Sequence, residues 1–126
     1  MDVKFFKCAH CGNIAVKPYD IGVPLVCCGQ KMDLLVPNDT DAALEKHVPV
    51  VTVEGNAVHV EVGSTLHPMT DAHLISFVCL CTEKGYQIVQ LTAADQPVAD
   101  FAVAEGDKPL KVYEYCNLHG LWVTEL

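Results

Sequence analysis

The stretch VPVVTVEGNAVHVEV, residues 48–62, decides the fold. Residues 48–53 and 57–62 are strand-forming runs on either side of Glu54-Gly55-Asn56, and that arrangement reads as a β-hairpin. In the second run Val58, Val60 and Val62 alternate with His59 and Glu61. A period of two puts the valines on a core face and His59 and Glu61 toward solvent. Downstream, further strands are predicted over residues 74–81, 86–91, 98–103, 110–115 and 121–125. Turns at Glu83-Lys84-Gly85, Asp95-Gln96-Pro97 and Glu105-Gly106-Asp107 separate them. Short strands at such spacing predict an immunoglobulin-like antiparallel β-sandwich. No stretch reads as a long amphipathic helix, although residues 39–44 suffice for one turn.

Upstream of the hairpin, Pro37-Asn38-Asp39-Thr40-Asp41 is a turn-forming, acidic stretch that reads as a linker. Four of the chain's seven cysteines precede it. Met1-Asp2-Val3-Lys4 does not begin a secretion leader and no apolar run reaches the ~18 residues that span a membrane, so the expected compartment is the cytoplasm. Reduced thiols and metal ligation are then the better reading of the cysteines.

Cys8-Ala9-His10-Cys11 is a C-x2-C knuckle, and the adjacent pair Cys27-Cys28 follows it. Gly12 and Gly29 each follow the second cysteine of a pair, where backbone amides can turn toward thiolate sulfur. A segment this short rarely buries enough surface to fold alone, and a bound metal can supply the deficit. Four thiolates suit tetrahedral zinc or a single iron. Two disulfides or free thiols are the competing reading, weakened because neighbouring cysteines rarely bridge each other. An adjacent pair must distort to aim both sulfurs at one ion, unlike the usual two-knuckle zinc ribbon. His10 reads as a surface residue.

The formal net charge is −8, from 8 basic and 16 acidic side chains. A phosphate-backbone partner would need a basic face that this composition does not favour. A small anionic substrate would need a local positive charge at its site.

In the longer segment His47, His67, His73, Cys116 and His119 sit beside turns or strand ends. Cys116-Asn117-Leu118-His119 is a C-x2-H knuckle able to chelate one ion. Spacing alone leaves the other ligands of that site open. Cys79 and Cys81 fall two apart on a predicted strand and read as small buried hydrophobes, with a redox or metal role as the alternative. Trp122, Tyr113 and Tyr115 read as packing residues near the sandwich end.

Taken in order, Cys8-x2-Cys11, Cys27-Cys28-Gly29, Glu45-Lys46-His47-Val48-Pro49, His67-Pro68-Met69, His73 and Cys116-Asn117-Leu118-His119-Gly120 resemble desulfoferrodoxin, the two-iron form of superoxide reductase. The resemblance covers nearly the whole chain. It implies a desulforedoxin-like domain over residues 1–36 holding one iron on Cys8, Cys11, Cys27 and Cys28. A linker over 37–44 and a superoxide reductase β-sandwich over 45–126 would follow. There a second iron would take His47, His67, His73 and His119 in a plane and Cys116 axially, leaving the position opposite the thiolate open or weakly occupied. Lys46 would lie near that position, and Glu45 would ligate the oxidised iron. The implied reaction is one-electron reduction of superoxide to hydrogen peroxide, with an electron donor such as rubredoxin and a homodimeric assembly. Residue chemistry fits: imidazoles suit ferrous iron, an axial thiolate would push electron density onto the metal, and Lys46 would be the local cation the acidic chain needs. Without the motif, Lys46 reads as an ordinary solvated lysine and Glu45 as a surface carboxylate. Two other classes compete. A non-catalytic iron electron carrier needs no substrate position, and a zinc-stabilised interaction module would close at four ligands.

Overall fold

A computed structural model describes residues 2–40 and 46–126. They form two compact units, Asp2–Val36 and Pro37–Leu126. Residues 41–45 lie outside the described residues, and with them most of the expected helical turn over 39–44 and Glu45.

The first unit consists of short strands: β1 (Phe5–Lys7), β2 (Ile14–Val16), β3 (Val26–Cys27), β4 (Gln30–Lys31) and β5 (Asp33–Leu34). They make a sheet in the order β2-β1-β5 and a separate β3–β4 pair. Its buried side chains are Val3, Phe5, Cys8 and Met32. Three apolar residues and a thiol are a meagre core for 35 residues of chain, as the length of the segment predicted.

The second unit is the sandwich. Its strands are β6 (Pro49–Glu54), β7 (Ala57–Val62), β8 (Ile75–Thr82), β9 (Tyr86–Gln90), β10 (Val98–Ala102), β11 (Pro109–Cys116) and β12 (Gly120–Glu125). Every expected strand is present, with ends displaced by one residue at most positions. One sheet runs β10-β7-β6, the other β12-β11-β8-β9, with antiparallel pairing throughout. The hairpin forms as read, Glu54 facing Ala57 across Gly55-Asn56. Val58, Val60 and Val62 of β7 meet Val78 and Leu80 of β8, Phe101 of β10 and Val112 of β11 in one apolar cluster. Each such side chain contributes roughly 1.5–3 kcal/mol when fully buried.

Two connections bear on the site. Thr124 Oγ1 on β12 donates to the Pro49 carbonyl on β6 at 2.6 Å, joining the two sheets where β6 begins. The β11–β8 register shifts between Tyr115 and Cys116, and such an irregularity re-aims the side chains that follow it.

Candidate metal centres

In the small unit, Cys8 follows β1 and Cys11 lies in the next turn. Cys27 ends β3, and Cys28 lies in the tight turn to β4. The structure brings all four sulfurs together. Cys11 Sγ stands 3.6 Å from Cys27 Sγ, and Cys27 Sγ 4.0 Å from Cys28 Sγ. Thiolates ~2.3 Å from a tetrahedral ion stand about 3.8 Å apart, so the spacing fits one shared ion and is far too long for a disulfide. The distortion expected of the adjacent pair is carried by Cys28, whose φ of 53° is left-handed. Gly12 and Gly29 have φ of 81° and 71°, conformations that glycine adopts freely. The Cys11 backbone N–H reaches Cys8 Sγ at 3.5 Å and draws that thiol down to about 6. Contact with the Cys11 thiol pushes Cys28 up to about 12, so a cation is the natural means of holding all four as thiolates. His10 is exposed and outside this set.

The second cluster collects at one end of the sandwich. His47 immediately precedes Val48 and β6. His67 follows β7 in a loop closed by its own N–H donating to the Val62 carbonyl at 2.7 Å. His73 ends a Thr70–His73 turn just before β8. Cys116 ends β11, and His119 lies in the turn to β12. One donor atom from each of the five lies within 4.8 Å of the others.

The imidazoles form a closed ring. Neighbouring centroids are 4.8 Å apart for His47–His67, 4.6 Å for His67–His73, 5.2 Å for His73–His119 and 4.9 Å for His47–His119. His67 Nε2 is 3.1 Å from His47 Nε2, and two nitrogens ~2.1 Å from one ion at a right angle stand about 3.0 Å apart. Cys116 Sγ lies 3.6 Å from His67 Nε2 and 3.7 Å from His119 Nδ1. His67 Nδ1 donates to the Pro68 carbonyl at 2.7 Å, which leaves Nε2 as the lone-pair nitrogen facing the cluster. Five donors exceed the four at which structural zinc closes and fit an iron centre. Cys116, His47 and His67 are buried whereas His119 is exposed, so the cluster is walled by protein on one side and reaches solvent on the other.

Lys46 is half-buried beside His47 in the chain. Its backbone presses on Gly63, where an added Cβ would lie 2.7 Å from the Lys46 carbonyl oxygen. Only glycine lets the loop toward His67 pass so close. Met69 packs against the core and accepts the Ile75 N–H on Sδ at 3.3 Å. His59 belongs to neither cluster. Its Nδ1 is 2.6 Å from Asp100 Oδ1 and its Nε2 3.4 Å from Glu61 Oε1; the Asp100 and then the Glu61 carboxylate raise its pKa.

Trp122 does more than the packing expected of it. Its ring stacks on His47 at 4.7 Å and 12°, and its Nε1 donates to the His119 carbonyl at 3.2 Å. The signal available in the sequence was its position three residues after His119.

Cys79 and Cys81 are fully buried on β8 and part of neither cluster. Burial pushes the Cys79 thiol up to about 12, which keeps it an unreactive neutral thiol. Replacing both with alanine should leave the iron content unchanged by elemental analysis; loss of an iron would show one of them to be a ligand.

Residues 39–125 match the sequence profile of the family described as Desulfoferrodoxin. The chain is 44% identical over 123 residues to a desulfoferrodoxin of Syntrophotalea carbinolica, covering 98% of this chain and 96% of that one. To a desulfoferrodoxin of Nitratidesulfovibrio vulgaris it is 41% identical, covering 97% and 95%. Among solved structures, it resembles the superoxide reductase from Treponema pallidum with a TM-score of 0.85 and 35% identity over 98% of both chains. It also resembles the one-iron superoxide reductase from Giardia intestinalis with a TM-score of 0.55 and 36% identity, over 65% of this chain and 99% of that one.

Proposed function

This chain belongs to the desulfoferrodoxin family, and on that premise we propose that its chemistry is done at the five-donor cluster, with His47, His67, His73, His119 and Cys116 as iron ligands. The protein is a superoxide reductase, an oxidoreductase that takes superoxide as acceptor, with iron at two sites per chain. Its reaction joins one superoxide, one electron and two protons into hydrogen peroxide, and so removes a toxic oxidant. The observation that carries the reading is the ring of four imidazoles with a buried cysteine sulfur beside it. These five donors would hold iron, which when bound would supply the electron.

The chain's own residues do the remaining work. The buried wall formed by Cys116, His47 and His67 keeps water from that side, and the exposed side near His119 admits a small anion. Lys46 is the cation that draws superoxide in against a net charge of −8, and its Nζ can donate a hydrogen bond to the anion. Glu45, next to it in the chain, is assigned to the oxidised state, in which a carboxylate is a suitable hard ligand.

Cys8, Cys11, Cys27 and Cys28 hold the other iron. Cys11 and Cys28 are exposed, which gives an external donor such as rubredoxin a route for electrons. A homodimer is supported by the first unit's exposed apolar side chains: Tyr19, Ile21, Val23, Val26, Leu34 and Val36. The abundance of free thiols suits a reducing compartment such as the cytoplasm.

Lys46→Ala should retain both irons and react with superoxide about 10-fold or more slowly, the lower end of the range for electrostatic steering. Rapid mixing of the ferrous protein with superoxide at several ionic strengths measures this. The variant's rate should also lose most of its salt dependence. A wild-type rate and slope would remove Lys46 from the reaction.

A further inference from the structure

Two of the five donors come from one turn, because Cys116 and His119 share the Cys116–Gly120 connection between β11 and β12. His73 reaches the cluster from a separate loop. Its own turn is closed internally, with the Thr70 N–H donating to the His73 carbonyl at 2.9 Å and the His73 N–H donating to Thr70 Oγ1 at 3.0 Å. Those bonds shape the turn but do not fix its distance from the knuckle. The His73–His119 edge is also the widest side of the imidazole ring, at 5.2 Å.

Asn117 spans that edge with three hydrogen bonds. The Leu74 N–H donates to Asn117 Oδ1 at 2.9 Å, and Asn117 Nδ2 donates to the Ala72 carbonyl at 3.0 Å. The Asn117 backbone N–H donates to the Leu74 carbonyl at 3.2 Å. The side-chain amide thus acts as a substitute peptide group that grips the chain on both sides of His73. Asn117 and Ala72 are exposed and Leu74 is half-buried, so core packing alone does not account for the arrangement. An amide is the group that fits, because it must accept from one backbone group and donate to another.

We infer that Asn117 is a positioning residue, setting the place of the His73 imidazole against the Cys116–His119 knuckle. This rests on the reading of those three residues as ligands of one ion. Asn117→Ala removes both side-chain bonds. Asn117→Asp keeps the acceptor for the Leu74 N–H but turns a second oxygen toward the Ala72 carbonyl.

The test uses the full-length protein reconstituted with Co(II), whose paramagnetism displaces ligand imidazole signals in the NMR spectrum. Metal affinity at the same site is read in parallel by chelator competition. In both variants the His73 signal should move while those of His47 and His67 stay in place. Affinity should fall about 10- to 100-fold in Asn117→Ala, the usual cost of losing a group that orients a ligand. A merely structural role would disturb all the imidazoles alike, and that result overturns the proposal. So does an Asn117→Ala protein with the wild-type His73 signal and affinity. If Asn117→Ala fails to fold, Asn117→Asp is decisive by the same two readouts. Wild-type protein without displaced imidazole signals would overturn the ligand reading and this proposal together. Wild-type signals beside unchanged variants would overturn this proposal alone.

Discussion

Cys116→Ala should abolish superoxide reduction and strip iron from the larger cluster while leaving the four-cysteine site loaded. Cys116 is fully buried at the end of β11, and its sulfur stands 3.6–3.7 Å from two of the imidazoles. Removing it deletes the one anionic donor among the five and leaves a void on the protein-walled side. Affinity should fall by more than about 100-fold, beyond the range seen when only an outer partner of a ligand is lost. Cys116→Ser separates binding from electronics. An oxygen in place of sulfur can still hold some iron, but it lacks the soft electron donation that a thiolate gives the metal. The serine variant should therefore keep part of its iron and lose the thiolate-to-iron absorption band along with nearly all activity. Elemental analysis, the visible spectrum and a superoxide assay on the same samples check this. An active, iron-replete Cys116→Ala protein would remove the sulfur from the centre.

Withdrawing metal from the four-cysteine site should unfold Asp2–Val36 and leave the sandwich standing. The first unit buries only Val3, Phe5 and Met32 besides Cys8, whereas the second has an apolar cluster drawn from both sheets. Binding free energy at a structural metal site of this kind, on the order of 10 kcal/mol or more, becomes folding free energy. Cys8→Ser should reproduce the effect, because Cys8 is the buried member of the set. The measurement is a two-dimensional amide NMR spectrum: signals from residues 2–36 should collapse to the narrow range of a disordered chain while those of β6 to β12 keep their dispersion. Retained dispersion in residues 2–36 without metal would show that the unit folds on its own.

The two sites differ in how far the sequence disclosed them. The small one was legible from local spacing, because Cys8-x2-Cys11 and Cys27-Cys28 each carry two ligands on one short segment. Even its distortion could be anticipated, since adjacent residues must twist to face one ion, as Cys28 does with its φ of 53°. The sandwich was legible from alternation, and Val58, Val60 and Val62 point inward as read. The large cluster was different. Spacing offered only Cys116 and His119 as a pair, because His47, His67 and His73 come from separate loops that only the tertiary fold brings together. Their place in the set came from a family resemblance. What lay beyond both was the supporting shell. Trp122 reads as core packing in any alternating strand, and nothing local says that it lies on His47. Asn117 reads as an ordinary turn residue until its partners on both sides of His73 are known.

The most direct test is to mix the oxygen-free ferrous protein, loaded with iron at both sites and supplied with a reductant, with superoxide and count the products. Superoxide reduction gives one hydrogen peroxide for each superoxide consumed, releases no oxygen, and oxidises the larger centre within the mixing experiment. Equal yields of oxygen and peroxide would mean dismutation, and a ferrous centre indifferent to superoxide would mean an electron carrier; either result would contradict reduction of superoxide at the four-histidine, one-cysteine site.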